Sequence, residues 1–170
     1  MITRGVFAFL TTQQWRDMDV NTFRNLLPCS LVLKGKYNAD NEFQKVKARL
    51  VVLGNLQKAK YGELFGKAAN ESPTVSMTGL FTVLILAAKK NLKIASYDVA
   101  GAFLHADMKE PVYMKLSKQI ATILMASDSE KYAKFLQPDG SMIVVLQKCV
   151  YGLREAPREW YELIKTHITV

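Results

Sequence analysis

The sequence predicts an α+β fold, with a mainly antiparallel sheet and helices on one side of it. Three observations predict it. Residues 44–53 alternate strictly, with Lys45, Lys47 and Arg49 on one face and Val46, Ala48, Leu50 and Val52 on the other, which is the period of a half-exposed strand. Residues 77–90 are apolar on nearly every side, the pattern of a buried helix. Helical and strand-like stretches also follow one another in mixed order around a hairpin, as α+β layers require.

From the start, Thr11-Thr12 supplies a cap for a run in which Trp15, Met18, Phe23, Leu26 and Leu27 recur at helical spacing. This gives a helix of about four turns, stopped by Pro28. Ser30–Lys36 and Gln44–Leu53 form a hairpin around the polar spacer from Tyr37 to Glu42, whose residues suit a long turn. Gly54–Pro73 is irregular. The 77–90 helix ends in Lys89-Lys90-Asn91, where the helix dipole favours positive charge. Lys93–Val99 follows as a core strand, Ala100–Met108 as a short helix and Pro111–Leu116 as another strand. Ser117–Leu136 reads as one or two helices, with Ser127-x-x-Glu130 at capping-box spacing. After the turn at Pro138-Asp139-Gly140, Met142–Gln147 is a strand and Tyr151-Gly152-Leu153 a second turn. Ala156–Ile168 closes the chain as a helix with Pro157 in its first turn.

The 170 residues, 49% apolar and 22% charged, suffice for a domain with a real core and exclude a disordered chain. The longest apolar stretch, Gly79–Ala88, stops at Lys89-Lys90, far short of the roughly 18–20 residues of a membrane span, so no membrane partner is expected. The opening Met-Ile-Thr-Arg-Gly has no secretory character. An intracellular location is expected, with cytoplasm and nucleus both open. Cys29 and Cys149 stand far apart and suggest neither disulfide nor zinc. Net charge is +8 and uneven, with ten Lys or Arg against four acids in residues 1–60 and thirteen against eleven thereafter. A local basic excess points to a polyanionic partner, nucleic acid being the commonest.

Two stretches carry possible chemistry. In Tyr97-Asp98-Val99-Ala100-Gly101-Ala102-Phe103-Leu104 an Asp leaves an apolar strand, small residues follow, and an aromatic comes five positions later. Asp98 suits a Mg²⁺ ligand beside a phosphate-binding backbone, although an Asp between a strand and a helix is more often an N-cap for the next helix. In Val150–Tyr161, Tyr151-Gly152 makes a tight turn, and Trp160 and Tyr161 sit on the helix after Pro157. Each is by itself an ordinary turn or core feature. Lys34 and Lys36 can join Lys45, Lys47 and Arg49 on one hairpin face, which is either a solvated basic side or a phosphate-binding surface. His105 and His167 read as solvent-facing, without partners for a metal.

Taken in order, Lys47-Ala48-Arg49-Leu50-Val51, Asp98-Val99-x-x-Ala102-Phe103-Leu104, Val112-Tyr113-Met114 and Tyr151-Gly152-Leu153-x-x-x-Pro157-x-x-Trp160-Tyr161 resemble the reverse transcriptases of Ty1/copia-type retrotransposons over roughly Ser30–Ile168. The resemblance implies a right-hand polymerase fragment. Residues 1–29 would be a helical leader, 30–92 a fingers segment with the basic hairpin, and 93–170 the start of the palm with its return helix. It implies an RNA-directed DNA polymerase that takes dNTP and an RNA or DNA template-primer. Two Mg²⁺ ions, in such sites about 3.5–4 Å apart, would be held in part by the catalytic carboxylate of Asp98 and the Val99 carbonyl. Lys47, Arg49, Ala102, Phe103, Tyr151 and Gly152 would line the nucleotide pocket, and Lys34, Lys36 and Lys45 would meet template phosphates. The family's adjacent Asp-Asp pair has no counterpart, since the sequence contains no Asp-Asp dipeptide. A truncated domain follows as the expectation, with the remaining palm, thumb and RNase H missing and no polymerase activity of its own. A non-catalytic nucleic-acid-binding remnant is the alternative.

Overall fold

A computed structural model describes residues 5–19, 26–57 and 72–168. Its strands are β1 (Phe7–Leu10), β2 (Leu26–Tyr37), β3 (Phe43–Val52), β4 (Asp107–Leu116) and β5 (Met142–Lys148). Its α-helices are α1 (Thr12–Arg16), α2 (Met77–Lys89), α3 (Lys118–Ser127), α4 (Ser129–Tyr132) and α5 (Ala156–Ile168). Among the described residues the strands form one sheet in the order β1-β5-β4-β2-β3. All pairings are antiparallel except β2 with β4, where Leu26–Pro28 run parallel to Tyr113–Lys115. The sheet is therefore mixed but largely antiparallel, within an α+β fold.

The core is built on β5, which lies between β1 and β4. Met142, Val144 and Leu146 point to one face, where they meet Met114, Leu116 and Val112 of β4, each at most 3% exposed. Ala121 of α3, Tyr132 of α4 and Ala156 of α5 close that face. Phe9 packs on Tyr132 and Phe135, both with ring centroids at 5.2 Å. Ile143 and Val145 alternate to the other face, where Trp15 of α1 packs with Leu10 and Tyr113. Helices thus cover one face broadly, and α1 reaches the other.

Several elements differ from the sequence reading. The first helix is five residues long, with a capping box between Thr11 and Gln14. Leu26 and Leu27 belong to β2, and Pro28 stops no helix. It pairs with Lys115 in the parallel ladder, and its carbonyl accepts from the Leu53 amide at 2.9 Å. Sheet pairing overrides helical spacing here, because ladder bonds satisfy a whole row of backbone groups. Phe23 lies outside the described residues, as does most of the irregular stretch after Gly54.

α2 runs where its pattern places it, capped by the Ser76 hydroxyl, which accepts from the Gly79 amide. Ala87 is its one fully buried residue, however, and Met77, Val83 and Ile85 are each more than 60% exposed. Lys93–Val99 is not a strand, and no strand among the described residues pairs with it. Periodicity marks which side chains share a face, but a strand exists only where a neighbour takes up its N–H and C=O groups.

Ala100–Met108 is not a helix either. A 3-10 turn covers Ala102–His105, and β4 begins at Asp107, with a register break between Asp107 and Val112 that accommodates Pro111. The second helix of the 117–136 stretch is capped by Asp128, whose carboxylate accepts from the Lys131 amide. Ser127 instead donates to the Leu124 carbonyl. β1 had no signal beyond four apolar residues.

Candidate nucleotide and nucleic-acid site

The basic hairpin is built by register. Lys34 pairs directly with Lys47, Lys36 with Lys45 and Val32 with Arg49, so five cations share one face. Asn38 holds the tip: its side-chain carbonyl accepts from the Asp40 and Glu42 amides, and Asn41 takes the left-handed conformation, which Asn tolerates better than most residues. The reverse face of the hairpin is also open, with Leu33 62% and Val46 57% exposed. The tip is thus a projecting ribbon. Like charges placed directly opposite destabilise a strand pair, and a bound anion would relieve that cost.

The base of the hairpin meets the other motifs. Lys47 and Arg49, Gly101 and Leu104 from the 3-10 turn, and Tyr151 line a common cavity of about 180 Å³. That is below the roughly 300–1,000 Å³ of a pocket for a whole small ligand, and suits part of one. Phe103 stands edge-on to Tyr151, with ring centroids 4.9 Å apart. The turn bearing Phe103 is backed by α5, whose Trp160 lies 6.3 Å from the His105 ring. Ala102 is half-buried next to Phe103, and His105 is exposed.

Tyr151 is seated by backbone contact. The Val52 amide donates to the Tyr151 carbonyl at 2.9 Å. Gly152 has φ +95°, and a Cβ there would collide with the Val52 carbonyl; a Cβ on Gly54 would likewise strike the Gly152 carbonyl. Both positions need glycine for close backbone approach, and Gly152 also for its dihedral. Gly54 carried no motif, so its role was invisible until the two segments met.

Asp98 and Val99 are exposed residues of the 93–99 stretch, which no strand among the described residues pairs with, and neither lines that cavity. The cap reading of Asp98 does not hold: Gly101, in a left-handed conformation, caps the 3-10 turn, and no side chain bonds to its amides. Among the described residues no group of three His, Cys, Asp or Glu gathers to hold a metal. Both thiols are free. Burial pushes Cys29 up to about 11 and Cys149 up to about 12, so neither is a nucleophile near neutral pH. No helix among the described residues is long and apolar enough to cross a membrane.

A family model described as reverse transcriptase (RNA-dependent DNA polymerase) matches residues 12–169. The chain is 36% identical over 144 residues to the retrovirus-related Pol polyprotein from transposon TNT 1-94 of Nicotiana tabacum, covering 79% of this chain and 9% of that protein. It is 30% identical to the Pol polyprotein from transposon RE2 of Arabidopsis thaliana, covering 84% of this chain and 9% of that one. The Transposon Ty1-BL Gag-Pol polyprotein of Saccharomyces cerevisiae is 28% identical over 72% of this chain and 6% of its own length. No solved structure matches. The chain thus spans less than a tenth of these relatives, and along nearly all of its own length it belongs to the reverse transcriptase (RNA-dependent DNA polymerase) family, in the Ty1/copia type.

Proposed function

We propose that the chain is the fingers and the opening part of the palm of a copia-type reverse transcriptase, and that it forms the nucleotide-receiving and template-holding side of a polymerase site. The convergence of Lys47, Arg49, Gly101, Leu104 and Tyr151 on one cavity carries this reading, because three segments distant in sequence meet there. In this reading residues 30–92 are fingers, residues 93–170 open the palm, and residues 1–29 lead into them.

Arg49 grips two triphosphate oxygens with its planar guanidinium, and Lys47 adds a point charge. Phe103, braced by Tyr151, forms a wall under the sugar and disfavours a 2′-hydroxyl by clash. Ala102 and Gly152 keep the approach open. Lys34, Lys36 and Lys45 hold template-primer phosphates without reading sequence.

Reverse transcriptases work with divalent metal ions. The Asp98 carboxylate and Val99 carbonyl are hard oxygen donors, but no third ligating side chain joins Asp98 among the described residues. That donor set does not fit two divalent cations, which need several carboxylates to offset their charge and replace their water. In the intact family two such ions, Mg²⁺ in our reading, supply the charge neutralisation for nucleotidyl transfer. We infer that Asp98 contributes one carboxylate, that the adjacent Asp-Asp pair of the family is not supplied by these 170 residues, and that this chain extends no primer by itself.

A labelled template-primer tests both halves. Binding should weaken steeply with salt, and changing Lys34, Lys36 and Lys45 together to Ala should reduce the salt slope by roughly two to three units. Primer extension with Mg²⁺ should be absent. An unchanged slope removes the hairpin from the interface, whereas extension by the wild-type chain overturns the need for further carboxylates. Salt-sensitive binding without nucleotide affinity would instead favour a purely nucleic-acid-binding role.

A further inference from the structure

The Tyr151–Gly152 turn is tied to the end of β3 at three successive points. Two are backbone junctions: Val52 amide to Tyr151 carbonyl, and the glycine contact between residues 54 and 152. The third is made by side chains. Gln57, which follows the 3-10 turn Gly54–Leu56, donates through Nε2 to Oε1 of Glu155 at 3.4 Å. Glu155 stands at the start of α5, its carbonyl accepting from the Glu159 amide. Gln57 is 6% and Glu155 7% exposed.

This third tie is chemically incomplete. Gln57 Oε1 and Glu155 Oε2 are both buried, and neither has a hydrogen-bond partner among the described residues. Two acceptors therefore share an enclosed site with a single long bond. Unsatisfied buried groups are costly, and a half-satisfied network is a poor way to hold a core together. Such a pair in a native fold requires a reason, and its location supplies one. It closes the last of three contacts between segment 52–57 and segment 151–155, whose other end carries Tyr151 in the cavity wall.

We propose that Gln57 and Glu155 are positioning residues, a side-chain clasp that seats the Tyr151–Gly152 turn against β3 and thereby sets the width of the nucleotide cavity. The clasp rests on the cavity reading only for its consequence on nucleotide binding. Its geometric effect stands apart. An amide at position 155 adds a donor for Gln57 Oε1 while its oxygen still accepts from Gln57 Nε2, so that no acceptor of the pair is left over. Glu155→Gln therefore tightens the clasp, and Glu155→Ala opens it.

Hydrogen exchange at the Val52 amide, which bonds to Tyr151, reads the seating directly in the full chain. Glu155→Ala should accelerate exchange at Val52 by about tenfold or more while leaving Val144 in β5 within about twofold, and Glu155→Gln should slow it. Affinity for a fluorescent deoxynucleoside triphosphate should fall several-fold in Glu155→Ala and be retained in Glu155→Gln. Unchanged exchange at Val52, equal acceleration at Val52 and Val144, or faster exchange with unaltered nucleotide affinity would each overturn the proposal. Arg49→Ala separates the two claims. If the wild-type chain binds no nucleotide, or Arg49→Ala binds it as well as wild type, the cavity reading fails. Localised acceleration at Val52 then still establishes the clasp as a structural joint and removes its role in nucleotide binding.

Discussion

Two apolar regions of this molecule have opposite fates. In β1, β5 and β4, alternate residues such as Met114, Met142 and Val144 are fully buried. In α2 and the following residues 92–99, equally apolar side chains lie open: Ile85 and Ile94 are more than 60% exposed, and Tyr97 is 88% exposed. Hydrophobic content is therefore not what separates them. The first region is laddered into the sheet, with β5 flanked on both sides and helices over one face, whereas among the described residues no strand pairs with residues 92–99. An exposed apolar run of this length exceeds the scattered single apolar residues usual on a protein surface.

The sharpest way to break this comparison is to delete side chains from each region. Met114→Ala should cost about 2–5 kcal/mol by leaving a cavity in a packed interior. Ile85→Ala should stay within about 0.5 kcal/mol, as exposed substitutions do. Denaturant midpoints measure both, and equal losses would mean that α2 is packed in solution.

Gly152→Ala tests where the packed region ends. The new methyl meets the Val52 carbonyl in a left-handed backbone, so a loss of about 1–3 kcal/mol is expected. Nucleotide affinity should fall with it. A neutral effect would show that the turn is not seated on β3.

The smallest effect concerns the rim of the sheet. The hydrogen bond from Lys115, at 2.6 Å, together with those from Ser141 holds the Asp139 carboxyl well below the usual carboxylate range. A depressed pKa stabilises the fold above the unfolded value of about 4, and that contribution fades as pH falls through the native value. Asp139→Asn should lower stability by less than about 1 kcal/mol near pH 7, because the pair is solvent-exposed and screened. The difference between variant and wild type should be constant above about pH 5 and shrink steadily as pH falls below the unfolded value of about 4 in thermal melts; a gap that does not shrink on acidification assigns the effect to something other than charge.

Much of the fold and site was legible where short-range patterns decide. The hairpin read correctly because strict alternation and a turn-forming spacer are local properties. The same alternation put the five cations on one face, and register confirmed it. The α2 boundaries followed from an unbroken apolar run and a basic end. What failed was everything that depends on a neighbour. Leu26 and Leu27 fit a helix until β4 offered them a ladder, and Lys93–Val99 fit a strand that nothing among the described residues completes. Gly54, Gln57 and Glu155 were silent in the sequence, since their importance lies in touching another segment.

The sequence by itself determined the family, the alternation of the hairpin, the cations it displays and the glycine that the Tyr151 turn needs. These are written in side-chain order and backbone preference, which any window of the chain contains. Tertiary structure alone decided which apolar runs were buried, that Tyr151 meets Phe103 and the hairpin base, and that Asp98 caps no helix. The physical reason is that burial and ladder bonding are properties of pairs of segments, and a partner's position is not encoded in the segment that awaits it.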